Sequence, residues 1–150
     1  MHTACSTGIP LFDSEHDLLL DLYRRLAACL LGSEDVDAFV SGFQELLDYA
    51  SDLFAREEEV MRERDFADYQ RHRHDHMKLL ETGAVLLHTA RERFEKYDCY
   101  ALLLFIRHWI GNHIRDHDKP LAAFLRDPKG LRTPGRASLG QPSPDLVFRA

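Results

Sequence analysis

Six side chains of metal-binding type fall on the apolar stripes of what read as four helices: His16, Glu57, His72, His76, His113 and Asp118. An ionisable group on a core-facing stripe is costly unless it is paired, hydrogen-bonded or bound to a metal. A metal centre would satisfy all six together. His72 and His76, at i and i+4, sit one turn apart on one helix face and can grip one ion. His74 lies ~200° round the wheel from His72 and should face solvent. Imidazoles and carboxylates with no thiolate suit iron, and also manganese or zinc. Carboxylates from two different helices can bridge two ions, which favours a dinuclear site over a single structural zinc.

The fourth-helix pair is less regular. At ~100° per residue an i+5 spacing rotates Asp118 by ~140° from His113, whereas His117 stacks directly over His113. Pro120 removes a helix hydrogen bond and disturbs the preceding turn, a distortion able to swing Asp118 inward. On spacing alone His117 stays a competitor. Each residue also has a plainer reading: His16 as a hydrogen-bonded core histidine, Glu57 as a partner of Arg24 or Arg25, His72 and His76 as a chance pair among nine histidines. His2, His74, His88 and His108 are read as non-ligands.

The elements that must position these groups are four periodic segments. The first runs from about Asp13 to Leu31 on Phe12, His16, Leu19, Tyr23, Leu26 and Leu30. Gly32 offers it a C-cap, and Ser33 or Asp35 an N-cap for the next. The second runs from about Val36 to Arg64, with Phe39, Phe43, Leu46, Ala50, Leu53, Glu57 and Val60 in heptad-like recurrence. Asp65 to Asp68 makes a break. The third runs from about Asp68 to Tyr97, and the fourth, capped by Asp98, continues to about Leu125. Strand signals are nearly absent and the links are short. These features predict an all-α fold: an up-down-up-down antiparallel four-helix bundle over residues 1–126, with an N-terminal arm. In that topology the starts of the first and third helices lie level with the ends of the second and fourth, which brings all six candidates into one layer. Residues 127–150, rich in proline and glycine, read as a flexible tail whose Leu146, Val147 and Phe148 are its last apolar residues.

Composition narrows the function. A chain of 150 residues suits one domain with a substantial core. The net charge of -6 argues against a nucleic-acid partner, which needs a basic face. The apolar run from Ala101 to Ile106 is far too short to cross a bilayer, and the N-terminus has no secretory pattern. Cys5, Cys29 and Cys99 are odd in number and far apart, which fits reduced thiols in the cytoplasm. No membrane contact is expected, and the sequence identifies no protein partner.

These residues resemble the hemerythrin family of non-haem diiron oxygen carriers and its bacterial relatives. Thr7-Gly8-Ile9-Pro10 and Phe12-Asp13-Ser14-Glu15-His16 resemble the family's N-terminal arm and first ligand. Phe54-Ala55-Arg56-Glu57-Glu58-Glu59-Val60-Met61 resembles its second-helix motif, His72-x-x-x-His76 follows at the family's distance, and Trp109-Ile110-Gly111-Asn112-His113-Ile114 with Asp118 resembles its fourth-helix motif. The resemblance covers about Thr7 to Leu125 and selects Asp118 over His117. It implies one iron held by His72, His76 and His113, and another held by His16 and a histidine at 53. Glu57 and Asp118 would bridge them with an oxo or hydroxo group, and dioxygen would bind beside Trp109, Ile110 and Ile114.

The chain departs from that pattern at Leu53, which cannot bind a metal. Two irons are expected, or one if the Leu53 side stays unfilled. Tyr49, one turn earlier, is a candidate substitute ligand, with a hydrogen-bonded core tyrosine as its plainer reading; His2 or Glu15 would need an unusual approach. Dioxygen storage, delivery or sensing is the leading expectation. No dedicated substrate pocket or general base is visible, so no catalytic residue is assigned. The alternatives are a diiron oxidase or peroxidase-like enzyme, permitted by the vacancy at Leu53, and a mononuclear metal-responsive interaction module that signals through the tail.

Overall fold

The computed structural model describes residues 6–32, 35–93 and 96–127. Five α-helices and one π-helical turn account for nearly all of them: α1 (Pro10–Gly32), α2 (Val36–Glu63), α3 (Tyr69–Arg93), α4 (Lys96–His113), the π-turn (Ile114–Asp118) and α5 (Lys119–Arg126). No strand occurs among the described residues. The chain folds as a helical bundle in which α1 packs on α2, α2 on α3, and α1 on α4. No described helix is long and apolar enough to cross a membrane. The expected tail with Leu146, Val147 and Phe148, and His2, Cys5 and Ser33, lie outside the described residues.

Several element ends differ from the periodicity, each for a local reason. Helix α1 starts at Pro10 rather than Asp13, because a proline in the first turn has the helical φ and needs no N–H there. Asp13 instead ties down the arm: its carboxylate accepts from the Thr7 N–H at 2.6 Å, the Thr7 hydroxyl at 2.8 Å and the Ser6 hydroxyl at 2.9 Å. Gly8 has φ +75°, a conformation that favours glycine, and the Arg126 guanidinium lies against its Cα. Arg126 in turn donates to the Thr7 carbonyl at 2.8 Å, joining α5 to the arm.

Asp35 caps α2 by accepting from the Ala38 N–H at 3.0 Å. At its other end Asp65 takes the left-handed conformation (φ 52°), and the Phe66 N–H reaches back to the Met61 carbonyl at 3.0 Å. That six-to-one bond with Phe66 packed near Met61 is a Schellman-type stop. Asp98 is not a cap: α4 begins at Lys96, so Asp98 lies inside the first turn, where its charge still complements the helix dipole. The fourth periodic segment is not continuous either. It is interrupted by the π-turn, closed by the Lys119 N–H bonding to the Ile114 carbonyl, directly before Pro120, which has no N–H to continue the α ladder.

Two apolar clusters flank the polar candidates. The larger is built on Leu19, Leu26, Phe39, Phe43, Leu46, Leu53, Phe54, Ile106 and Trp109. The smaller joins Phe12, Met61 and Leu121, with Ile9, Phe66, Tyr69 and Phe124 against it. Each fully buried side chain of this size contributes roughly 1.5–3 kcal/mol. Between these clusters the six polar groups are held away from solvent.

Candidate metal centre

All six candidate ligands are buried, each with 5% or less of its surface exposed. Asp118 lies at their middle. Its Oδ1 is 3.1 Å from His72 Nε2 and 3.2 Å from His113 Nε2, while its Oδ2 is 3.0 Å from His16 Nε2. Glu57 is divided in the same way: Oε2 lies 3.2 Å from His76 Nε2 and 3.7 Å from His72 Nε2, and Oε1 lies 3.8 Å from His16 Nε2. His76 Nε2 and His113 Nε2 are 3.1 Å apart. Glu57, His72, His76, His113 and Asp118 form one group of donor atoms within 4.8 Å of one another, and His16 adjoins it through Asp118 and Glu57.

The π-turn explains how Asp118 joins this set. An α-helix would have carried it well round from His113, but the i to i+5 hydrogen bonding of one wide turn brings it back over that side chain. His117 is instead turned outward, half-buried, with its ring stacked on that of His113. Glu57 does not pair with Arg24 or Arg25, whose partners are Asp21 and Glu45 on the surface.

Close approach without hydrogen bonding marks the site. His16 and His72 have neither ring nitrogen hydrogen-bonded, and both Glu57 oxygens and Asp118 Oδ1 also lack a partner. Buried polar atoms are rarely left so. Donors about 3.0 Å apart that do not point at one another are what ligands of a shared ion look like, since ligands at metal–nitrogen distances near 2.1 Å and right angles have that separation. The residues present therefore fit a metal.

The electrostatics agree. Burial and the neighbouring Asp118 both push Glu57 well above the usual carboxylate range. Burial also works against charge on Asp118, but His113 beside it outweighs this and holds the carboxyl well below its usual range. His113 is resisted by burial yet pushed up to about 10, chiefly by Asp118 and by the Asp75 hydrogen bond. His76 is pulled down to about 2 by burial and by the His113 charge. Without metal the site thus keeps protons on Glu57 and His113 that a cation would displace.

The model of the hemerythrin HHE cation-binding domain matches residues 7–125. The chain belongs to the hemerythrin family. No curated protein matches it.

The two sides of the carboxylate pair differ. Beside His16, Leu53 is buried and, with Leu19, Phe54, Trp109, Ile110 and Ile114, walls a cavity of about 10 Å³ that His16, His113 and Asp118 also line. That space is about the size of one water or diatomic molecule. Trp109 borders this cavity, and its indole N–H is buried without a hydrogen-bond partner. Of the substitute ligands considered, the two among the described residues are engaged elsewhere: the Tyr49 hydroxyl donates to the Glu15 carbonyl at 3.3 Å, and the Glu15 carboxylate accepts from Arg56 Nε at 2.6 Å.

On the other side, two carboxylates escaped the sequence reading. Asp75 Oδ2 lies 2.7 Å from His113 Nδ1, and Glu58 Oε1 lies 3.1 Å from His76 Nδ1. Each leaves Nε2 as the inward donor and raises its basicity. Arg73 in turn lies 3.4 Å from Glu58. Asp75 is adjacent to His76 in sequence but serves a ligand on another helix, so no local spacing reveals it. His74, His88 and His108 are exposed, and none of them belongs to the buried cluster.

Proposed function

We propose that this hemerythrin binds dioxygen, for storage, delivery or sensing, at a carboxylate-bridged diiron centre whose second iron has an incomplete set of protein ligands. His72, His76 and His113 would hold one iron and His16 the other, with Glu57, Asp118 and an oxo or hydroxo group shared between them. The observation that carries this reading is the division of both carboxylates, each presenting one oxygen to His16 and the other to the three-histidine side. An up-down-up-down order of helices accounts for one layer receiving ligands from four of them.

Two ferrous ions would supply dioxygen with one electron each and recover them on release. The chain's part is to hold them and to keep water out. Leu53, Trp109, Ile110 and Ile114 make the wall beside His16 apolar, and exclusion of water slows loss of reduced oxygen species. A cytoplasmic location is part of this reading.

Anaerobic reconstitution with ferrous iron, followed by iron counting and cycles of air and vacuum, tests the reading. The expected result is two irons per chain and a visible band that appears in air and fades under vacuum. One iron per chain would overturn the diiron centre in favour of a mononuclear metal-responsive module. A band that does not reverse, with peroxide turnover that falls in His16→Ala, would make the protein an oxidase or peroxidase-like enzyme.

A further inference from the structure

The buried ligands need a route by which a hydrated cation reaches them, and the wall beside Leu53 is apolar. The polar route lies on the opposite side. A cleft of about 260 Å³ opens between α3 and α4, lined by Asp75 and Leu79 from one and by Trp109, His113, Asp116 and His117 among others from the rest of the chain. Its floor is His113 itself. Side-chain exposure falls along it from 32% at Asp75 to 13% at His117 and 5% at His113.

Donor atoms of Asp75, His113 and His117 lie within 4.8 Å of one another. The His113 Nδ1–H is spent on Asp75 Oδ2 at 2.7 Å, and His117 Nε2 stands 3.6 Å from that same oxygen, too far for a hydrogen bond. Asp75 and His117 both line the cleft, with the exposed His108 at its border, so a carboxylate and an imidazole stand beside the His113 floor. Two protein donors with the remaining positions left to water make a weak, exchangeable site for a divalent cation, unlike the enclosed set beneath it.

We propose that Asp75 and His117 form an entry site that captures hydrated ferrous iron and passes it to the buried ligands. The proposal rests on the metal-centre reading above. It gives His117 a role that neither the ligand set nor the core supplies.

Metal arrival can be followed by fluorescence quenching, because Trp109 is the chain's one tryptophan and borders both the cavity and the cleft. Metal-free full-length chain would be mixed anaerobically with limiting ferrous iron, and bound iron counted at saturation. The expected result for His117→Ala is a five- to tenfold slower quench with the same final iron per chain, the difference vanishing at high iron concentration. His117→Asp should recover most of the rate, since it restores a donor, and the exposed His74→Ala should load like the parent. His117→Gln, which keeps bulk but binds metal poorly, should be as slow as the alanine variant and carries the test if that variant does not fold. Loading at the parent rate in both His117→Ala and His117→Gln would overturn the entry site. So would an unchanged rate with reduced final iron, which would make His117 a support for the ligands. A parent chain that retains no iron would instead overturn the metal-centre reading, independently of His117.

Discussion

The three-histidine side and the His16 side of the site share two carboxylates and little else. Three imidazoles from α3 and α4 converge on the first, and two of them are backed by Asp75 and Glu58. The second has His16 alone, whose Nδ1 lacks a hydrogen-bond partner, beside a wall of aliphatic and aromatic side chains. The difference teaches how a position on a core stripe can serve either packing or the polar layer beside it. Residue 53 lies on the same stripe of α2 as Phe39, Phe43, Leu46 and Ala50, so a leucine there extends the core and removes one buried polar group. The ligand helices are core helices first, and the asymmetry costs the metal-free chain nothing.

Asp118→Ala should abolish the comparison, because that side chain alone touches His16, His72 and His113. Iron retained through gel filtration should fall from two per chain towards none. Retention of one full iron would show that the three-histidine side stands without it. Leu53→His should sharpen the comparison by making the sides more alike. Without metal it gives up roughly 1.5–3 kcal/mol of leucine burial and leaves an imidazole unsatisfied, so Tm should drop. With iron the new ligand should restore Tm and lengthen the life of the oxygen adduct. Unchanged iron content and adduct lifetime would put residue 53 out of reach of the second metal.

Asp75→Asn is a subtler change. The amide oxygen can still accept from His113 Nδ1, but the charge that raises the basicity of His113 is gone. Affinity on the three-histidine side should weaken about tenfold, the lower end of the effect of such supporting groups. Competition with a ferrous chelator would measure it. Glu58→Gln should cost less, since its contact with His76 is 3.1 Å against 2.7 Å for Asp75.

What the sequence could reveal follows from range. His16, Leu19 and Leu26 repeat within a few residues, so the stripe of α1 and the burial of its ligand were legible from periodicity. The all-helical fold followed from four such stripes. Asp118 was legible only in part: Pro120 announced a disturbance, but the i+5 wide turn that returns the carboxylate to His113 has no pattern in side-chain hydropathy. Asp75 and Glu58 were not legible at all, because each serves a ring on a different helix and cross-helix register is not written in local spacing.

The stability of the metal-free chain with pH also separates two residues of the three-histidine side. His76 has its pKa pulled from 6.5 to about 2, by burial first and the His113 charge next. Below pH 6.5 the unfolded chain therefore binds a proton that the folded chain refuses, and stability falls as pH drops. His113 is shifted the other way, to about 10, because Asp118 and Asp75 outweigh its burial. Its contribution is complete below 6.5 and is lost as pH rises towards 10. These two groups alone place the maximum near 6.5, with limbs no steeper than about 1.4 kcal/mol per pH unit for each proton. Urea unfolding on either side of that maximum would check it. His76→Gln should flatten the acid limb and leave the alkaline one. Iron should erase the alkaline limb, since a metal-bound His113 has already given up the proton that the limb reports.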